Sequence, residues 1–269
     1  MKDISKIDYS AFDRPEILLS LFHPRPEPLG FLPSADSEDI VIQVEKDVSL
    51  GARFYFAGSE FPTILFFHGN GEIVADYDDI APLYKEMKIN FIPVDYRGYG
   101  RSKGSPTITA MIRDSHIIFK YIKDLLKDRG CSETLVVMGR SLGSACALEI
   151  CSNYKKGFAG LIIESGFAYA RPLLMLLGVD MDAMGVAEEE GFRNIDKIRR
   201  FDKPTLIIHA RRDDIISFTE GEALYNECPA RDKNLLIIPD ANHNDILLRG
   251  LREYTQAIKG LIEKIRRAS

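Results

Sequence analysis

A serine flanked by glycines is the clearest chemical signal in the sequence. Residues 139–143 read Gly-Arg-Ser-Leu-Gly, a G-x-S-x-G pattern with Ser141 at its centre. The pattern directly follows the apolar run 134–138 and opens a segment rich in small helix-forming residues. A strand, a sharp turn and a helix are the context in which such a serine becomes an exposed nucleophile. We therefore interpret Ser141 as the nucleophile and the amide of Leu142, at the helix start, as an oxyanion donor.

A serine hydroxyl needs a neighbouring base, and sequence position separates the five histidines. His23 lies in a proline-rich stretch, and His116 lies inside a predicted helix. His68 and His209 end predicted strands. Only His243 lies in a loop after the last predicted strand, from which an imidazole can reach the carboxyl edge of a sheet. We predict that His243 is the general base.

The base in turn needs a carboxylate that orients the imidazole and stabilises its charged form. Asp213 and Asp214 follow the apolar run 205–208, and Glu164 comes directly after the run 160–163. Adjacent side chains do not easily point the same way, so we expect only one of the two aspartates to serve. From the residues alone, all three carboxylates remain alternatives.

A glycine-rich turn offers a second oxyanion donor. Residues 68–71 read His-Gly-Asn-Gly and follow the apolar run 63–67. Backbone amides in such a turn can converge on an anion. We predict that the amide of Asn70 is this donor, with Gly71 as the alternative and a plain tight turn as the remaining interpretation.

The elements that position these residues are visible as an alternation of apolar runs and longer helical segments. Continuously apolar runs, typical of parallel strands covered on both faces, occupy residues 63–67, 90–94, 134–138, 160–163, 205–208 and 235–238. The segments between or after them that predict helices are 73–88, 109–127, 142–153, 220–227 and 245–267. Residues 39–45 and 50–57 alternate in polarity, which predicts an antiparallel pair at the sheet edge.

This alternation predicts an α/β fold with a mostly parallel central sheet of about eight strands and helices on both faces. No repeat or composition shift marks a boundary, so we expect one domain over residues 1–269. Within it, residues 1–38 form an N-terminal strap, because four prolines between 23 and 33 force an extended path. Residues 166–200, rich in Leu and Met, form a lid-like insertion or, alternatively, two helices that complete the core.

Composition limits the partners of the chain. A net charge of −5, with 45% hydrophobic and 28% charged residues, is ordinary for a globular protein. The sequence contains no run of basic residues able to bind along a phosphate backbone, so nucleic acid is not an expected partner. No run is long enough for a membrane span and the first residues lack a signal-peptide core, so we expect a cytoplasmic location. The four cysteines lack metal-ligand spacing and are expected to be reduced and buried, and no cofactor is expected.

Five motifs resemble those of the alpha/beta-hydrolase superfamily: HGNGE (68–72), DYRGYGRSKG (95–104), GRSLGS (139–144), IHARRDDIISF (208–218) and ANHND (241–245). The resemblance is to its serine-esterase branch, the serine aminopeptidase-like and dienelactone-hydrolase-like proteins. It extends from about residue 40 to the C-terminus and keeps the chain order Ser, Asp, His. It implies the alpha/beta-hydrolase fold, with site residues Ser141 (nucleophile), Asp213 (acid), His243 (base), and Asn70 and Leu142 (oxyanion amides).

The activity expected from these residues is hydrolysis of a carboxylic ester or thioester through an acyl-enzyme, with a small-molecule acyl substrate. The Leu and Met content of residues 166–200 favours an apolar acyl group. A peptidase or acyltransferase using the same three groups is the alternative. A non-catalytic binding module with this fold is the third interpretation.

Overall fold

The computed structural model describes residues 7–28 and 37–268. Among these residues, one eight-stranded sheet is built from β1 (Ser37–Glu45), β2 (Val48–Tyr55), β3 (Thr63–Phe67), β4 (Asn90–Val94), β5 (Leu135–Arg140), β6 (Gly160–Glu164), β7 (Thr205–Ala210) and β8 (Lys233–Ile238). The strand order is β1-β2-β4-β3-β5-β6-β7-β8. The α/β fold with a mostly parallel central sheet is therefore confirmed.

The pairing of the strands brings the carboxyl ends of β3 to β8 to the same edge of the sheet. β1 pairs antiparallel with β2, and β2 antiparallel with β4, as the edge position of the alternating segments predicts. The remaining pairs are parallel. Because parallel strands all point the same way, the loops after their carboxyl ends meet along one side of the sheet.

Helices cover both faces of this sheet: α1 (Pro15–Leu21), α2 (Ala81–Glu86), α3 (Ile108–Asp128), α4 (Ser144–Asn153), α5 (Ala170–Leu176), α6 (Asn194–Ile198), α7 (Phe218–Glu227) and α8 (Ile246–Ala268). The segment 73–88 contains a helix, as expected, but α2 begins only at Ala81. A 3-10 turn, Val74–Tyr77, precedes α2 there. Pro82 lies in the first turn of α2 and has no amide hydrogen with which to continue a helix from the preceding turn.

Two apolar clusters lie on opposite faces of the sheet, because successive side chains of a strand point to opposite sides. On β3, Leu65 and Phe67 belong to the first cluster, and Ile64 and Phe66 belong to the second. The first cluster includes side chains of α1, α3 and α4, and the second includes side chains of α2 and α8. Both faces of the sheet are thus buried.

The lid-like insertion, residues 166–200, contains α5 and α6. Phe167, Leu174 and Met181 are fully buried in the first cluster. Met175 and Leu176 are 63% and 57% exposed. The insertion therefore contributes to the core and also presents apolar side chains to the exterior, and its role as a lid stays a prediction.

The N-terminal strap is only partly described, since residues 1–6 and 29–36, including Pro33, lie outside the described residues. It contains α1, which the sequence analysis missed although Pro15 is a common first residue of a helix. Pro26 forms an isolated bridge with Gly100, so this part of the strap lies against the turn after β4.

The four cysteines are buried and free, as expected for small apolar side chains in a core. Cys146 and Cys151 lie on α4, and Cys228 follows α7. Within residues 7–28 and 37–268, no helix combines the length and the apolar content needed to cross a membrane.

Candidate active site

Ser141 occupies a strained turn between β5 and α4. Its φ of 50° lies in the left-handed region that non-glycine residues rarely adopt. A β-carbon at position 143 would collide with the backbone carbonyl of Phe67, and one at position 139 with the carbonyl of Gly143. Glycine at both positions therefore lets the turn pass close to its neighbours while it holds Ser141 in this conformation.

A chain of hydrogen bonds joins Ser141, His243 and Asp213. The Oγ of Ser141 lies 3.0 Å from Nε2 of His243. The Nδ1 of His243 lies 2.8 Å from Oδ2 of Asp213. Because an ionised carboxylate only accepts, the tautomer that satisfies both contacts carries its proton on Nδ1 and accepts the serine hydroxyl at Nε2. The structure thus brings together the predicted nucleophile, base and acid from loops after β5, β7 and β8.

Asp213 is held as a carboxylate by its surroundings. Burial acts to raise its pKa, but hydrogen bonds from His243 and the backbone outweigh burial and lower the pKa below its usual value. The amides of Ile215 and Ile216 donate to Oδ1 at 3.0 and 2.8 Å. An ionised Asp213 can therefore stabilise positive charge on His243.

His209 is a second buried histidine near Asp213. Burial lowers the pKa of His209, and its Nε2 donates to the carbonyl of Ile216 at 2.9 Å.

The two other candidate carboxylates have different surroundings. Asp214 is exposed. Glu164 is buried, and its Oε1 forms an ion pair with Nε of Arg140 at 3.2 Å. Its Oε2 accepts the hydroxyl of Tyr254 at 2.8 Å, and burial raises its pKa. Among the three alternatives, Asp213 is the residue that contacts His243.

The glycine-rich turn after β3 is tied to the N-terminal strap. The Oδ1 of Asn70 accepts the hydroxyl of Tyr99 at 2.7 Å and the amide of His23 at 2.9 Å. The carbonyl of Gly71, whose φ is 74°, accepts Nε of Arg25 at 2.7 Å. These bonds fix the turn, and both Asn70 and Gly71 remain the predicted alternatives for the second oxyanion amide. Leu142, the other predicted donor, follows Ser141 in a short 3-10 turn that leads into α4.

A cavity of about 260 Å³ lies beside His243, between α2 and α8. Its lining includes charged and hydroxyl-bearing side chains, among them Glu72, Arg140, Glu164 and Tyr254. Apolar side chains, among them Phe66 and Leu247, line it as well. None of the described residues that line this cavity belongs to 166–200, so the apolar acyl pocket expected from that segment stays a prediction.

Sequence reasoning missed Arg140, the residue directly before Ser141. Its Nη2 donates to the carbonyl of His243 at 2.9 Å, and its guanidinium pairs with Glu72 and Glu164. The one available signal was a charged residue at the end of an otherwise apolar strand.

Comparisons with known proteins agree with this fold. Residues 59–184 match the family described as serine aminopeptidase, S33. The alpha/beta hydrolase domain-containing protein 17B of Homo sapiens is 29% identical over 207 residues, which cover 75% of this chain and 66% of that protein. The 17C protein of Xenopus tropicalis is 30% identical over 227 residues, covering 82% of this chain and 68% of that protein.

Solved structures show the same architecture. The esterase Pf2001 of Pyrococcus furiosus superimposes with a TM-score of 0.72 at 20% identity, covering 90% of this chain and 99% of that one. Est1E from Butyrivibrio proteoclasticus, with ferulic acid bound, gives a TM-score of 0.70 at 17% identity, covering 85% and 99%. The chain belongs to the alpha/beta-hydrolase superfamily, as its motifs predict. It spans 63% of the length of the human 17C protein and 66% of the length of the human 17B protein.

Proposed function

We propose that this chain is a serine hydrolase that cleaves a carboxylic ester or thioester through an acyl-enzyme intermediate. The observation that carries the proposal is the hydrogen-bonded sequence Asp213, His243, Ser141, with 2.8 Å and 3.0 Å between the successive partners. Distances of this size allow a proton to pass between serine and imidazole within one hydrogen bond. Membership in the alpha/beta-hydrolase superfamily supports the same chemistry.

The proposed reaction has two halves. The Oγ of Ser141 attacks the acyl carbon while its proton moves to Nε2 of His243, and the amides of Leu142 and Asn70 bind the resulting oxyanion. The bond from carbon to the leaving oxygen or sulfur then breaks, and His243 returns the proton to the leaving group. Water attacks the acyl-enzyme by the same route and releases the acid. Each oxyanion donor contributes on the order of 10² to 10³ in rate.

A peptidase is the second candidate, and one observation favours it. The family matched by residues 59–184 is described as serine aminopeptidase. The same three side chains serve amide cleavage when His243 protonates an amine instead of an alcohol or thiol. An acyltransferase differs only in the nucleophile that accepts the acyl group.

A fluorophosphonate probe tests the nucleophile. We expect the wild-type protein to be labelled and Ser141→Ala to be unreactive. Ser144→Ala is the matched control, because Ser144 is buried three residues further on and its hydroxyl has no hydrogen-bond partner among the described residues. A wild-type protein that resists the probe, or a reactive Ser141→Ala, would contradict the proposal.

A substrate panel separates the alternatives. Esters and thioesters of graded acyl length, aminoacyl amides, and added acceptor alcohols distinguish esterase, peptidase and acyltransferase. We expect ester or thioester cleavage that favours longer acyl chains. A preference for acetyl over every longer chain would contradict the apolar acyl pocket.

A further inference from the structure

The guanidinium of Arg140 lies where the loops of the candidate site meet. Its Nη2 donates to the carbonyl of His243 at 2.9 Å and to Oδ1 of Asn244 at 3.2 Å. Through the backbone, Arg140 is also directly bonded to Ser141. One side chain thus connects the nucleophile turn to the loop that carries the base.

The same guanidinium reaches the glycine-rich turn through Glu72. Nη1 of Arg140 forms an ion pair with Oε1 of Glu72. Oε2 of Glu72 accepts the amide of Gly69 at 2.7 Å and the hydroxyl of Tyr77 at 2.6 Å. Burial acts to raise the pKa of Glu72, but Arg140 and these hydrogen bonds lower it, so the carboxylate stays charged.

Glu164 anchors the guanidinium from the neighbouring strand. Arg140 and Glu164 face each other in the register of β5 and β6. Oε1 of Glu164 contacts Nε of Arg140 at 3.2 Å, while Oε2 accepts the hydroxyl of Tyr254 on α8. The orientation of Nη2 toward His243 is therefore set by bonds to the rest of the guanidinium.

We propose that Arg140 is a positioning residue that holds His243 in register with Ser141 and, through Glu72, with the oxyanion-binding turn. The proposal rests on the proposed serine-hydrolase function. A planar guanidinium suits this role because its donors have a fixed geometry, whereas a lysine ammonium is a point charge that does not span the same acceptors. The cavity of about 260 Å³ beside it leaves room for the His243 loop to move when the bond from Arg140 is lost.

Arg140→Lys keeps the charge and removes the fixed fork of donors. Since a displacement of about 1 Å of a catalytic group can cost about 10²-fold, we expect kcat and the fluorophosphonate labelling rate to fall roughly 10- to 100-fold. KM should change by less than about threefold, because substrate does not contact Arg140 in this proposal.

Arg97→Lys is the matched control. Arg97 has a similarly buried side chain, 10% exposed against 12% for Arg140. Its Nε lies 2.6 Å from Oδ2 of Asp114, and this ion pair is away from the candidate site. We expect this variant to lose stability but to keep kcat and labelling close to wild type. Thermal unfolding of all three proteins establishes that the rates are compared at equal folded fractions.

Three results would count against these ideas in different ways. A labelled wild type with Arg140→Lys reacting at the same rate would overturn the positioning role alone. Equal losses of kcat in Arg140→Lys and Arg97→Lys would reduce Arg140 to a structural ion pair. A wild type that is not labelled would refute the serine-hydrolase function and the positioning role together.

Discussion

A buried ion pair joins the 166–200 insertion to α4, the helix that follows Ser141. The Nζ of Lys197 on α6 lies 2.7 Å from Oε2 of Glu149 on α4, with the lysine side chain 0% and the glutamate 6% exposed. Tyr9 of the N-terminal strap accepts from Lys197 at 3.0 Å and donates to Glu149 at 3.2 Å. We predict that Lys197→Met strongly destabilises the fold, because it leaves the Glu149 carboxylate buried without its cation.

The magnitude follows from the burial of the pair. Breaking a buried ion pair by removing one partner costs about 3–5 kcal/mol. Burial acts to raise the pKa of Glu149, but contacts with Lys197 and His116 lower it from 4.5 to about 2. This shift corresponds to a contribution of about 3 kcal/mol to the free energy of unfolding at neutral pH. Burial also lowers the pKa of Lys197, so the intact pair is worth less than this figure. At about 2–4 °C per kcal/mol for a chain of this size, we expect Tm to fall by roughly 6–20 °C.

The effect depends on pH with a definite sign. Because the pKa of Glu149 is lowered in the fold, its contribution is fully present above the unfolded value of 4.5 and is lost as the pH falls toward about 2. Below that window the carboxyl is protonated in the wild type as well. The difference in stability between the wild type and Lys197→Met should therefore narrow as the pH falls from 4.5 to about 2.

Urea unfolding followed by circular dichroism measures the free energy of unfolding of each variant. The double variant Lys197→Met/Glu149→Gln should be more stable than Lys197→Met alone, because a neutral amide replaces the orphaned carboxylate. Lys203→Met is the control. The ammonium of Lys203 donates to the backbone carbonyl of Phe158 at 2.7 Å, so its removal leaves a neutral acceptor rather than a buried carboxylate. An unchanged urea midpoint for Lys197→Met, or a double variant no more stable than the single one, would refute this reasoning.

Three further predictions concern the candidate site. Gly143→Ala should slow fluorophosphonate labelling at least about 100-fold, because its β-carbon collides with the carbonyl of Phe67, and an unchanged labelling rate would contradict the strained turn. Asp213→Asn should lower kcat about 10⁴-fold in steady-state assays, since an amide favours the wrong imidazole tautomer. Tyr99→Phe removes the hydroxyl that donates to Asn70 at 2.7 Å. Because one hydrogen bond contributes about 1 kcal/mol, kcat should fall about fivefold. Tyr121 is exposed, so the control variant Tyr121→Phe should leave kcat unchanged.

Apolar continuity predicted the central strands well and their carboxyl ends poorly. The runs 63–67 and 90–94 coincide with β3 and β4, whose residues are buried throughout. β5 and β6 extend beyond the apolar runs to Arg140 and Glu164. These two side chains pair with each other across the strands, and such pairing leaves no mark in the apolar pattern of either strand.

The predicted nucleophile was accessible to sequence reasoning through the G-x-S-x-G pattern after an apolar run, and the predicted base because only His243 lies in a loop after the last predicted strand. The choice of Asp213 over Asp214 needed the family resemblance, because both aspartates follow the same strand. Arg140 had no comparable signal. Its acceptor on His243 is 103 positions away, and only the folded chain brings the two together.

The placement of the three hydrogen-bonded groups along the chain determines when the proposed site can assemble. Ser141 and His243 are 102 residues apart, and His243 follows β8, which lies at the end of the strand order. A ribosome-bound chain that has emerged only as far as α7 contains Ser141 and Asp213 but lacks His243. In the proposed mechanism, hydrolysis is therefore among the last properties to appear during synthesis or refolding, and its recovery reports the docking of β8.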